Sequence, residues 1–253
     1  MSYEQEFSAA KEIAKKAGAI MLQYFDGEQQ LERKSDDSPI TVADTLVNRM
    51  VIEELTRLFP QDGIVGEEES TAEYGMGRRW ICDPIDGTKS FVIGVPTAVF
   101  SLALAVDGKI VLGVVYDPFL DKMFEATRGS GSFCNGIALH VSNEGLTDGY
   151  IAVTSRVNKI VNGSEHLRAL AAQGARLVTF SGSVYKMCLI ARGRLAGYVE
   201  EQLNPHDIAA GQIIIEEAGG KVTGMDGGEL DYSKPFCGAV FSNGVVHDEL
   251  LPQ

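Results

Sequence analysis

The dipeptide Asp107-Gly108 separates two apolar runs, residues 98–106 and 109–116, and it constrains the fold more than any other feature of the chain. Asp followed by Gly suits the positive φ angles of a two-residue hairpin turn, so the two runs are expected to pair as antiparallel strands. Before this hairpin, residues 5–25 place Phe7, Ala10, Ile13, Ala14, Ala17, Ile20, Met21 and Tyr24 at the three-four spacing of an amphipathic helix, with Ser2-x-x-Gln5 as a capping box. The polar stretch 32–39 breaks the pattern and reads as a mobile loop. A second helix is expected over 43–59, with Val47, Val51, Leu55 and Leu58 on its buried side. Pro60-Gln61-Asp62-Gly63 ends that helix, and the short apolar runs Ile64-Val65 and Trp80-Ile81-Cys82 read as strands that stop at acids.

After about Ser142 strand and helix alternate. Strands are expected at 150–154, 176–179 and 196–199, with helices at 164–173, 183–192 and 207–218, the last closed by Gly219-Gly220. The expected class is therefore α+β, with residues 1–142 as an N-terminal lobe of helices and antiparallel sheet and residues 143–253 as a C-terminal α/β lobe. Without a repeat or a flexible linker, the two lobes are expected to form one compact unit. At 45% hydrophobic and 23% charged, such a chain can bury a full core.

The charge balance excludes some partners. With 22 Lys and Arg against 35 Asp and Glu the net charge is −13, and the longest basic clusters are pairs such as Lys15-Lys16 and Arg78-Arg79, so no stripe suits a nucleic acid polymer. The longest uncharged stretch, 91–106, reads as buried strand and falls short of the roughly 20 apolar residues of a membrane span. The N-terminus lacks the basic and apolar regions of a secretory signal, which points to the cytoplasm. Cys82, Cys134, Cys188 and Cys237 are widely spaced and fit reduced thiols, while the four scattered histidines make no transition-metal pattern.

Chemistry concentrates at Asp83-Pro84-Ile85-Asp86-Gly87-Thr88, directly after the strand at Trp80-Ile81-Cys82. Two carboxylates three residues apart, around a proline that stops the strand, can be aimed at one point. Such an oxygen-rich turn suits Mg²⁺. Gly87 and Thr88 would then open a helix whose free N–H groups face a phosphate. The plain alternative is an acidic turn with an Asx-type hydrogen bond. Two further patterns carry acids: Gly66-Glu67-Glu68 closes a short apolar run, and Asn204-Pro205-His206-Asp207-Ile208-Ala209-Ala210-Gly211 places Asp207 at the start of a helical stretch.

In this order and at these separations the three patterns resemble the inositol monophosphatase family, which carries G-E-E, then D-P-[IL]-D-G-T, then W-D-x-A-A-G. Gly131-Ser132-Phe133-Cys134-Asn135-Gly136 and Glu217-Ala218-Gly219-Gly220 extend the resemblance over nearly the whole chain. It implies the layered αβαβα sugar-phosphatase fold, a homodimer, sensitivity to Li⁺ and two to three Mg²⁺ ions per subunit. Glu67, Asp83 and the carbonyl of Ile85 would hold one ion, and Asp83, Asp86 and Asp207 a second, with a third leaning on Glu67. Alone, Glu67 is equally a solvated acid after a strand, and Asp207 an acid favoured at a helix N-terminus.

The resemblance also pairs Asp44 with Thr88, which together with Glu67 would serve a metal-activated water attacking phosphorus; the simpler reading of Thr41-Val42-Ala43-Asp44 is a capping box. Gly87 and Thr88 would meet the phosphate, the Ser183 backbone would meet a polyol, and Glu200 would accept a substrate hydroxyl. Ser183 is otherwise a helix cap, and Glu200 an exposed strand end. His206 stands where the family usually has Trp, a residue for the pocket edge rather than a ligand. Lys89-Ser90-Phe91 matches relatives that hydrolyse histidinol phosphate or 3′-phosphoadenosine 5′-phosphate, and Lys89 is otherwise a solvated lysine. The expected substrate is a small phosphorylated metabolite: inositol monophosphate first, then histidinol phosphate, then fructose-1,6-bisphosphate or 3′-phosphoadenosine 5′-phosphate. Two other classes stay open. The D-x-D-G-T of haloacid-dehalogenase-like phosphatases differs from this motif by one residue, and a metal-stabilised binding module is the nonenzymatic reading.

Overall fold

A computed structural model describes residues 3–25, 31–33, 39–154 and 165–252. Helix α1 (Glu4–Phe25) carries the expected apolar face; the Ser2 cap lies outside the described residues. The stretch read as a loop is partly paired instead, because β1 (Leu31–Arg33) and β2 (Pro39–Thr41) run antiparallel with Glu32 opposite Ile40; residues 34–38 lie outside the description. Helix α2 (Val42–Leu58) follows at once, started by Thr41.

A seven-stranded sheet comes next: β3 (Gly63–Gly66), β4 (Arg78–Asp86), β5 (Val99–Val106), β6 (Lys109–Asp117), β7 (Lys122–Thr127), β8 (Ser132–Cys134) and β9 (Ile137–Ala138), in that spatial order. Only β3 and β4 are parallel. The β5–β6 turn is the expected two-residue one, with φ of 49° at Asp107 and 76° at Gly108. The uncharged stretch 91–106 is not one strand, since its first residues complete helix α3 (Thr88–Val92) and only its second half is β5.

Proline does not stop β4. Pro84 and Ile85 together oppose the single residue Phe100 of β5, a bulge between the pairs Asp83–Ser101 and Asp86–Val99. A bulge tolerates proline because one residue is excused from the ladder. It also has a geometric effect. Residues three apart on a regular strand point to opposite faces, and one extra residue returns them to the same face.

The five-stranded sheet has the spatial order β11 (Arg176–Val178), β10 (Tyr150–Ala152), β12 (Gly197–Glu200), β14 (Ala239–Ser242), β13 (Lys221–Thr223). It is mixed: β10 is parallel to both neighbours, and β14 is antiparallel to both of its own. Its helices are α4 (Glu165–Ala172), α5 (Ser183–Ala191), α6 (Ala209–Glu217) and α7 (His247–Leu250). The helix expected over 207–218 is split, with a 3₁₀ turn at Pro205–Asp207 before α6 begins at Ala209.

Three apolar clusters stack these elements. Ile13, Ala17 and Met21 of α1 and Val47, Val51 and Leu55 of α2 pack with Trp80, Phe100 and Leu102 on one face of the large sheet. Ile81, Ala103 and Val115 on its other face pack with Met187 and Ile190 of α5, Ile213 and Ile214 of α6, and Tyr198 and Phe241 of the small sheet. Leu170 of α4 and Leu250 of α7 cover the far side with Ile151 and Val240. The layers therefore run helix, sheet, helix, sheet, helix, and the α+β class is as expected.

Candidate active site

Parallel pairing of β3 and β4 brings their C-terminal ends together, and the Glu67 N–H donates to the Cys82 carbonyl at 3.1 Å, one residue from Asp83. The bulge then turns Asp83 and Asp86 to the same side. Asp207, at the end of the 3₁₀ turn, completes the group: carboxylate oxygens of Asp83, Asp86 and Asp207 lie within 4.8 Å of one another. Glu67 stands beside Asp83 with a side-chain contact and is half-buried.

The electrostatics of this group ask for a cation. Asp83 is 1% exposed and Asp86 4%. Burial first, then the charges of Glu67, Asp86 and Asp207, push the Asp83 carboxyl well above the usual range. Burial also pushes Asp86 up to about 7, although N–H groups of Ser183 and Tyr185 pull the other way. Acids this close repel one another, and an oxygen-only donor set of carboxylates fits a hard ion such as Mg²⁺.

Asp86 is held from the other lobe. Its oxygens accept the backbone N–H groups of Ser183 and Val184 at 2.8 Å and Tyr185 at 3.4 Å, the first turn of α5. The close approach requires glycine. Gly182, at φ 95°, would place a Cβ in tight contact at 3.2 Å from Asp86 Oδ2 and 3.3 Å from the Thr97 carbonyl, and Gly87, at φ 94°, abuts Gly182 itself.

Asp44 accepts from both Thr41 and Thr88. One oxygen accepts Thr41 N–H at 2.7 Å and the Thr41 hydroxyl at 2.6 Å, and the capping box is complete. The other accepts the Thr88 hydroxyl at 3.3 Å, which also lies 3.1 Å from the Ile85 carbonyl. The two readings of Asp44 thus coexist.

A cavity of about 180 Å³ opens over these groups, with Glu67, Asp83, Ile85, Gly87, Thr88 and Asp207 on one side and Ser183 and Glu200 on the other. Glu200 is not an exposed strand end: it is 7% exposed. Ser183 does not cap α5, because Gly182 occupies that position; its N–H is committed to Asp86 and its hydroxyl accepts from Tyr198 Oη at 3.2 Å. His206 lies at the cavity edge with Nε2 3.8 Å from Asp207, and Lys89 is exposed at the rim.

Sequence reasoning passed over other lining residues, namely Thr154, Ser181, Lys186, Tyr198, Gln202 and Asn204. Only Lys186 had a signal, as the one charged residue in the apolar run of α5. Tyr74 was also passed over; burial first and then the charge of Asp207 push its hydroxyl up to about 12.

Five layers with converging acids at the seam of two sheets define a class, the layered sugar-phosphatase fold. The sequence model of the inositol monophosphatase family matches residues 2–253. The chain belongs to that family, and with it to the phosphoric monoester hydrolases. It is 39% identical to a histidinol-phosphatase of Chlorobaculum parvum over 85% of this chain and 84% of that protein. It is 34% identical to a fructose-1,6-bisphosphatase/inositol-1-monophosphatase of Thermotoga maritima over 94% and 91%. The solved IMPase of Thermotoga maritima superposes with a TM-score of 0.88 at 32% identity, covering 99% of this chain and 96% of that one.

Proposed function

We propose that the protein is a Mg²⁺-dependent phosphomonoesterase that transfers the phosphoryl group of a small metabolite, inositol monophosphate first, directly to water. The observation that carries this reading is the trio Asp83, Asp86 and Asp207, buried or half-buried and within 4.8 Å at their oxygens. Asp83, Asp86 and Asp207, with Glu67 and the Ile85 carbonyl, would hold two to three ions. When bound, Mg²⁺ would supply positive charge to the phosphate oxygens and lower the pKa of water.

The chain's own residues do the rest. The Thr88 hydroxyl, donating to Asp44, accepts a hydrogen bond from the attacking water and passes its proton toward the Asp44 carboxylate. Glu67 borders the cluster on the attacking side. Gly87 and Thr88 present backbone N–H groups to the phosphate, and Ser183 and Glu200 receive the leaving alcohol. The match to the inositol monophosphatase family over residues 2–253 favours direct attack by water over an aspartyl nucleophile of the dehalogenase type.

Histidinol phosphate is the second reading, favoured by His206 at the cavity edge and by the name of the Chlorobaculum relative. A homodimer, Li⁺ inhibition and a cytoplasmic setting complete the proposal. Four free thiols suit a reducing compartment, and no described helix is long and apolar enough to cross a membrane. A panel of phosphomonoesters assayed in chelator and in Mg²⁺ tests the reading. Activity is expected only with Mg²⁺ and to be highest on inositol monophosphate, and full activity in chelator would sink the metal role.

A further inference from the structure

Helix α5 is apolar along most of its length, yet it carries Lys186 near its centre, 1% exposed. An ammonium removed from water is strongly penalised unless other groups replace its hydration. The replacements are present. Lys186 Nζ donates to the Val153 carbonyl at 3.2 Å and lies 4.6 Å from the centre of the Tyr198 ring and 5.5 Å from that of Phe180. Glu200 follows Tyr198 by two residues on β12, so their side chains share a face of the sheet, and Lys186 and Glu200 line the same cavity. Burial still pulls the ammonium down to about 8, while the charges of Asp86 and Glu200 hold it up.

These acids are not equivalent. Asp86 accepts three N–H groups from α5 and belongs to the acid trio, so its charge is already engaged. Glu200 lines the cavity at the end of β12, 7% exposed, and among the described residues no donor closes a hydrogen bond on its carboxylate. A bare carboxylate on a cavity wall attracts cations over several ångströms. With an ammonium in the same wall the net field is small, while its lone pairs still accept hydroxyl donors.

We infer that Lys186 is a specificity-determining residue: lining the same cavity as Glu200, its positive charge offsets that carboxylate, and the wall they form accepts the hydroxyls of a neutral polyol in preference to an alcohol bearing an ammonium group. The inference rests on the phosphomonoesterase reading and adds the class of leaving group to it.

The test compares kcat and KM for myo-inositol 1-phosphate and histidinol phosphate, at saturating Mg²⁺, in the wild type, Lys186→Met, Lys186→Arg and Glu200→Gln. The wild type is expected to favour the polyol. Lys186→Met should move the ratio of the two kcat/KM values toward histidinol phosphate by about tenfold, through KM shifts of opposite sign, and Lys186→Arg should restore it. Glu200→Gln leaves the ammonium unopposed and should move the ratio the other way. An unmoved ratio, equal losses on both substrates, or a wild type that prefers histidinol phosphate would overturn the assignment. If circular dichroism shows Lys186→Met unfolded, Glu200→Gln decides alone, an unmoved ratio again being the refutation. Absence of wild-type activity on both esters is a different failure, that of the phosphatase reading, and it is visible before any variant is compared.

Discussion

Asp83 and Asp86 make the metal-free protein a pH-sensitive one. Both carboxyls are raised in the folded state from an ordinary value of 3.8, Asp86 to about 7. An acid raised on folding favours the folded state when protonated, so its contribution is complete below about pH 4 and is lost as pH rises toward 7. Bound cations remove the penalty. Mg²⁺ should therefore raise the Tm measured against chelator more at pH 7.5 than at pH 5, and equal shifts at the two pH values would contradict this account. Thr88 and Asp44 supply a second expectation at this scale. Thr88→Ala and Asp44→Asn should each lower kcat by roughly 10² to 10⁴, with the double variant little worse than either, because residues acting as one relay are not additive. Additive losses would separate their roles. Asp44→Asn also weakens the capping box, so its Tm should fall while that of Thr88→Ala stays close to wild type.

At the scale of elements, the first turn of α5 is where glycine matters most. Gly182→Ala forces a Cβ to 3.2 Å from Asp86 Oδ2 and 3.3 Å from the Thr97 carbonyl, at a φ of 95°. The strain should cost about 1–3 kcal/mol in chemical denaturation. Mg²⁺ affinity, measured by titration calorimetry, should weaken by roughly 10- to 100-fold, the range for losing a group that orients a metal ligand. A destabilised variant with unchanged Mg²⁺ affinity would show that α5 does not hold Asp86 for this purpose. Elements also mark the limit of what the sequence could reveal. The hairpin of β5 and β6 was legible because Asp107 and Gly108 dictate their turn locally, and the acids of the site were legible from motif order. The continuation of β4 through Pro84 was not, because whether proline ends a strand or enters a bulge depends on the neighbouring strand. β7 lacks regular apolar–polar alternation, β8 and β9 are only three and two residues long, and β1 pairs within a polar stretch, so none of them gives a periodic signal. Lys186 stands out in the sequence only as a charge within an apolar helix, and its neighbours Tyr198 and Phe180 are brought around it by the tertiary fold.

For the molecule as a whole, residues 1–142 and 143–253 are proposed to be lobes of one folding unit, since a single apolar cluster contains Ile81 and Val115 from one and Tyr198 and Phe241 from the other. Trp80, the only tryptophan, is buried in the large sheet and reports on the first lobe alone. Its fluorescence and the far-UV circular dichroism should follow one denaturation curve, whereas separate midpoints would show that the lobes unfold independently. Asp86 has a further consequence across that seam. The backbone amides of Ser183, Val184 and Tyr185 are its hydrogen-bond donors, so their deuterium exchange rates report on a carboxylate in the opposite sheet. Filling or emptying the acid cluster would thus be recorded by three protons of a helix that contributes no carboxylate to it, giving a spectroscopic gauge of occupancy that needs neither substrate nor turnover.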